Sequence, residues 1–194
     1  MITCMSEHAT DKFWHGAAMG CGADLAPWLR DPGSLTQRIR QRCTRFAVRG
    51  VRIGLARIAL DESALLGSAP QQLAWSREVF LYADDQPVVF AHSALAPEHL
   101  RGAWSAVRML GNKPLGALLF AHPLVERKPL HYQALRNTHP LYQRAAAVLN
   151  GGSNNTAAQA HRLWARRSLF YLHDAPLLVT EVFLPGILLL TDPA

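Results

Sequence analysis

The chain has 194 residues, 49% of them hydrophobic and 18% charged, with a formal net charge of +6 and a mean hydropathy of +0.02. A single domain of this length buries about 70% of its unfolded surface, so a real core without disulfide staples is expected and disorder is excluded. The positive charge is almost all arginine, scattered along the chain without interleaved aromatics, which argues against nucleic acid as a partner.

Residues 1–22 lack periodicity and an uninterrupted apolar run, so they read as a flexible leader and not a signal peptide; residues 23–194 read as one domain. Cys4, Cys21 and Cys43 are odd in number and show no CxxC spacing, which fits a reducing compartment and no structural metal. Ala23 to Arg30 is expected to form a short helix, broken by Asp31-Pro32-Gly33. Ser34 with Gln37 three places on then forms a capping box for a helix from Leu35 to Cys43. From Arg45 to Ile58 apolar residues alternate with arginines, as in a strand with one wet face, and Gly50 shifts the phase as a bulge would. Asp61 to Leu66 suggests one helical turn.

Leu73 to Ala83 and Pro87 to Ala94 read as strands of an antiparallel hairpin turned at Asp84-Asp85-Gln86. Pro97 to Leu110 has helical spacing in Leu100, Trp104, Val107 and Met109, ended by Gly111-Asn112. An apolar helical run to Phe120, a strand from Val125 to Leu135 and a helix from His139 to Leu149 follow, then a Gly151-Gly152-Ser153-Asn154-Asn155 surface loop. Arg167 to His173 and Leu177 to Pro185 form the closing hairpin. The expected fold is α+β, a single antiparallel sheet with helices packed on one side. The stretch Val182 to Leu190 is broken by Pro185 and Gly186 and is too short to span a bilayer, so no membrane insertion is expected.

Two charges stand out within this pattern. Strand alternation places Glu181 on the face of Val179 and Phe183, and Arg77 on the face of Trp75, Val79 and Leu81. An unpaired buried charge costs several kcal/mol. Either these two form an internal ion pair, or they face a ligand. Phosphate-cradling glycine loops, HExxH, metal-ligand clusters and a GxSxG elbow are all missing, and the nine histidines are dispersed. What remains is a cofactor-free site built from an inward Arg, an inward Glu and backbone amides near Ser34 and Leu115, suited to a small anionic ring compound.

Five stretches carry a resemblance: Trp28-Leu29-Arg30-Asp31-Pro32-Gly33-Ser34-Leu35-Thr36, Arg77-Glu78-Val79 with Pro87 to Ala91, Leu110-Gly111-Asn112-Lys113-Pro114-Leu115-Gly116, Trp164-Ala165-Arg166-Arg167-Ser168, and Pro176 to Pro185. In order and spacing they resemble chorismate pyruvate-lyase. The resemblance implies cleavage of chorismate to 4-hydroxybenzoate and pyruvate, the first step of ubiquinone synthesis, without a cofactor, in an enclosed ligand cavity under helical flaps. The chain is expected to be a cytoplasmic monomer whose partner is its small substrate. By position, Arg77 matches the arginine that clamps the ring carboxylate, Leu35 and Leu115 match residues that close on that carboxylate through backbone N–H groups, and Glu181 matches the glutamate at the ring hydroxyl. Arg77 and Glu181 are the implied catalytic pair. Where the family carries a second arginine this chain has His92, the expected binder of the enolpyruvyl carboxylate. The segment His131 to His161 is longer than shorter family members need. The same fold also resembles effector-binding domains of bacterial transcription regulators, so a non-catalytic binding module is the alternative, weighed against by the lack of a winged-helix segment before residue 25.

Overall fold

The computed structural model describes residues 13–69, 71–149 and 161–192. In chain order the elements are α1 (Ala26–Arg30), α2 (Leu35–Arg40), β1 (Phe46–Arg57), α3 (Leu60–Leu65), β2 (Leu73–Ala83) and β3 (Gln86–Leu95). Two 3-10 turns follow (Pro97–Arg101 and Ser105–Met109), then α4 (Leu115–Ala121), β4 (Val125–Arg127), β5 (His131–Arg136), α5 (Pro140–Ala146), β6 (Arg162–Leu172), β7 (Ala175–Phe183) and a last 3-10 turn (Pro185–Leu189). The seven strands form one antiparallel sheet in the order β1-β2-β3-β7-β6-β4, with β5 also paired to β6. Among the described residues no helix is long and apolar enough to cross a membrane.

Local chemistry explains most boundaries. The Ser34 hydroxyl accepts from the Gln37 amide and starts α2. The β2–β3 turn uses Asp84 and Asp85 at φ +46° and +66°, a conformation aspartate tolerates and a two-residue hairpin needs. Gly50, at φ +63°, sits where the β1–β2 register slips between Arg49 and Arg52, so the bulge expected there is present. The helix expected over Pro97 to Leu110 is instead two 3-10 turns. Trp104, Val107 and Leu110 are buried at three-residue spacing, which eclipses side chains in a 3-10 turn, whereas Met109 is exposed. The expected Val125–Leu135 strand divides into β4 and β5, both lying along β6.

Helices cover both faces of the sheet, where the sequence pattern suggested one. One face packs Trp28, Leu29, Leu35 and Ile39 of α1 and α2 against Val79, Leu81 and Phe183, and Leu115 and Leu119 of α4 against Phe170 and Leu177. The other packs Leu141, Tyr142 and Ala145 of α5 against Phe90, Ala165 and Val182, and Leu66, just after α3, against Ala94 and Leu178. The reverse face carries Ser76, Glu78, His92, Thr180 and Arg167 among its apolar residues, so its polar positions read as a wet face although α3 and α5 cover it. Part of the expected leader belongs to this second layer: Trp14 is buried against it, and His15 bridges to Tyr132. Residues 1–12 and the Gly151–Asn155 loop lie outside the described residues.

Candidate active site

A cavity lies between α2, α4 and the sheet face that carries Arg77 and Glu181. It contains about 610 Å³ of space unfilled by protein atoms, counting the mouth open to solvent. Antiparallel register builds its floor: Arg77, Ser93 and Val179 stand side by side, as do Val79, Ala91, Glu181 and Arg166. Leu35 and Thr36 from α2 and Leu115, Gly116, Leu119 and Phe120 from α4 complete the lining. Gly116 is where the two helices meet, since a Cβ there would lie 3.4 Å from the Thr36 hydroxyl and 3.5 Å from that of Ser34.

Arg77 is 2% exposed. Its Nη2 donates to the carbonyls of Gly111 at 3.1 Å and Lys113 at 2.8 Å, fastening the loop that leads into α4. Its Nε is buried without a partner, and burial pushes its pKa down. Leu35 and Leu115 are the first residues of α2 and α4, where backbone N–H groups have no intrahelical acceptor.

Glu181 is not paired with Arg77. Its Oε2 accepts from Nε of Arg166 at 2.6 Å, and Oε1 accepts no hydrogen bond among the described residues. Nη1 of Arg166 donates to the carbonyls of Trp28, Leu29 and Asp31, so one guanidinium caps the C-terminal end of α1 and orients Glu181. The internal ion pair weighed from strand alternation therefore exists with a different arginine, directly opposite on β6. Arg166 stood within one of the five quoted stretches, but nothing in a single sequence gives the β6–β7 register.

Arg127, at the end of β4, also lines the cavity. A three-residue strand has no periodicity to read, so this residue escaped the sequence analysis.

His92 departs from the expected group. It lies on the reverse face of β3, opposite Glu78 and Thr180, and does not line the cavity. A bulge is the cause. The hairpin begins with Ala83 opposite Gln86 and Tyr82 opposite Pro87, but between Leu81 and Tyr82 the register slips by one, so Leu81 faces Val89 and Arg77 faces Ser93. Without that slip His92 would have stood beside Arg77, because one residue of register exchanges the faces. His92 is 2% exposed, with Nδ1 3.2 Å from Glu78 Oε1 and Nε2 3.3 Å from Glu62 Oε1. Burial pushes its pKa down, but the contacts with Glu62 and Glu78 outweigh it and lift the pKa to about 9. Burial likewise raises both carboxylates, while His92 and Arg144 hold them below the usual range.

A model of the family described as chorismate lyase matches residues 17–190. The chain belongs to the chorismate lyase family. A probable chorismate pyruvate-lyase of Nitrosospira multiformis is 47% identical over 176 residues, covering 90% of this chain and 94% of the relative. One of Aromatoleum aromaticum is 51% identical over 170 residues, covering 86% and 87%. Among solved structures the C-terminal domain of PhnF aligns with a TM-score of 0.52 at 12% identity, over 78% of this chain and 87% of that one. At this identity the likeness shows a shared fold alone.

Proposed function

We propose that this protein is a cofactor-independent lyase that converts chorismate to 4-hydroxybenzoate and pyruvate, feeding ubiquinone biosynthesis. The observation that carries the reading is the placement of Arg77 and Glu181 on one cavity floor in a chain of the chorismate lyase family. A guanidinium fork suits the ring carboxylate, and the amides of Leu35 and Leu115, from helices on the other side of the cavity, close on the same group. Glu181, held by Arg166, meets the ring hydroxyl at the opposite end of the planar ligand. The helices α2 and α4 act as the flaps. On this reading the protein acts as a cytoplasmic monomer on its small substrate.

The reaction breaks the ether bond between the ring and the enolpyruvyl oxygen, removes the C4 hydrogen and aromatises the ring. The C4 hydrogen and the ether share a ring face, so a six-membered cyclic transfer to the enolpyruvyl methylene releases pyruvate in one step. In that route the protein orients substrate and stabilises charge. In the alternative route Glu181 removes the C4 proton as a general base. With C4-deuterated substrate, label in the pyruvate methyl supports the cyclic route, and label lost entirely to solvent sinks it.

The fold shared with the effector domain of PhnF leaves one other reading, a module that binds a small aromatic acid in the same cavity without reaction. Incubating the purified protein with chorismate and following both products separates the two. Equimolar 4-hydroxybenzoate and pyruvate support the lyase. Neither product, with a melting temperature raised by 4-hydroxybenzoate, supports the module.

A further inference from the structure

The charged lining of the cavity is unbalanced: Arg77, Arg127 and Arg166 face it, against Glu181 alone. Arg166 and Glu181 neutralise each other at 2.6 Å. Two guanidinium charges remain, and among the described residues neither has a carboxylate partner. Arg77 is bonded only to carbonyls. Arg127 is bonded only through Nη1, to the carbonyl of Pro32 at 2.5 Å and that of Gly33 at 3.5 Å. Its Nε is shut away from solvent without a partner, and Nε shares an edge of the guanidinium with Nη2, which is also unbonded. The plane is steadied by Phe120 at 5.6 Å and Phe170 at 5.3 Å, one ring from α4 and one from the sheet. An arginine fixed by one nitrogen and two rings, with its bidentate edge unused inside a cavity, is built to receive a planar anion.

We infer that Arg127 holds the second carboxylate of the substrate, the one on its enolpyruvyl arm, the role that His92 cannot take from the reverse face. This rests on the lyase reading of the cavity. Chorismate is a dianion, and the two uncompensated guanidiniums match its charge. The product 4-hydroxybenzoate keeps only the ring carboxylate, so Arg77 serves substrate and product, whereas Arg127 serves substrate and the departing pyruvate. Arg127 is thus the residue that distinguishes substrate from retained product. Because its Nη1 also fastens the loop before α2, the same side chain senses the second carboxylate and holds the entry to one flap.

The test compares wild type with Arg127→Met, which keeps an apolar stem between Phe120 and Phe170 and removes the fork. The expected result is a KM for chorismate raised roughly tenfold or more, as loss of a charge-assisted contact requires, with the Kd for 4-hydroxybenzoate within twofold of wild type. Equal weakening of both ligands, or an unchanged KM, overturns the assignment and leaves Arg127 as a loop fastener. Should Arg127→Met fail to fold, binding of 3-(carboxymethoxy)benzoate and 3-methoxybenzoate to the wild-type protein decides: tighter binding of the dicarboxylate supports the inference and equal binding overturns it. Wild type that releases neither product from chorismate refutes the lyase reading instead, and the analogue pair still reports on Arg127.

Discussion

On the cavity face of the central strands stand Arg77, Arg166 and Glu181. One residue along on the same strands, and therefore on the reverse face, stand Glu78, Arg167 and Thr180, with His92 opposite Glu78 and Thr180. The reverse set is charge-compensated. Glu78 pairs with Arg144 of α5 and with His92, His92 reaches Glu62 of α3, and Arg167 pairs with Asp61, which also accepts from Trp14. In the cavity, the hydrogen bonds of Arg77 and Arg127 go only to backbone carbonyls, which accept without cancelling charge, and the Nε of each is left without a partner. Carbonyl-bound cations keep their field for a ligand; carboxylate-bound ones spend it on joining elements.

The comparison predicts that substitutions on the two faces fail differently. His92→Ala leaves Glu62 and Glu78 buried with less compensation, and should destabilise the fold by about 3–5 kcal/mol, read by chemical denaturation, while the folded fraction keeps kcat within about twofold. A large loss of kcat at unchanged stability would break the division between faces. Arg77→Ala should do the reverse and weaken 4-hydroxybenzoate binding by about 2–5 kcal/mol, as expected when one partner of a buried charge pair is removed, measured by calorimetry. Glu181→Ala should lower kcat by roughly 100-fold, or about 2.7 kcal/mol, with a smaller change in product affinity. A folded variant with wild-type turnover would remove Glu181 from the reaction.

The smallest effect is in pH. His92 has its folded pKa raised from 6.5 to about 9, so its contribution is fully present below about pH 6.5 and is lost as pH rises through 9. The groups around it are Glu78 from β2, Thr180 from β7, Glu62 from α3 and Arg144 from α5. Glu62 and Glu78 are depressed, so their contribution is present above about pH 4.5 and fades below it. Denaturation between pH 7 and 9 should therefore show a loss on the order of 2 kcal/mol. In His92→Arg, which keeps the cation and removes the titration, that slope should flatten; an unchanged slope would assign it to another group.

Strand alternation was enough to place Arg77 and Glu181 each on the inward face of its own strand, and Ser34, Gly50 and the Asp84-Asp85 turn announced their own geometry. Cross-strand facts were not legible. The partner of Glu181 depends on β6–β7 register, and the side taken by His92 depends on a one-residue slip near Val88 that no glycine marks. Arg127 lies in a strand too short to show a period. The helices on the reverse face were hidden because Glu78, His92, Thr180 and Arg167 make that face look solvated, and the ion-pair partners of Glu78, His92 and Arg167 on α3 and α5 lie far away in the sequence. In each case the missing information is a relation between distant segments, whereas the features that were read correctly are written into neighbouring residues.

Helix α1 has five residues, too few to persist alone. It is held by the burial of Trp28 and Leu29 and by Arg166, whose other end orients Glu181. Fraying of that single turn would release the guanidinium and, with it, the cavity carboxylate Glu181, while the seven-stranded sheet stays intact. Heat inactivation is therefore expected to run ahead of global melting.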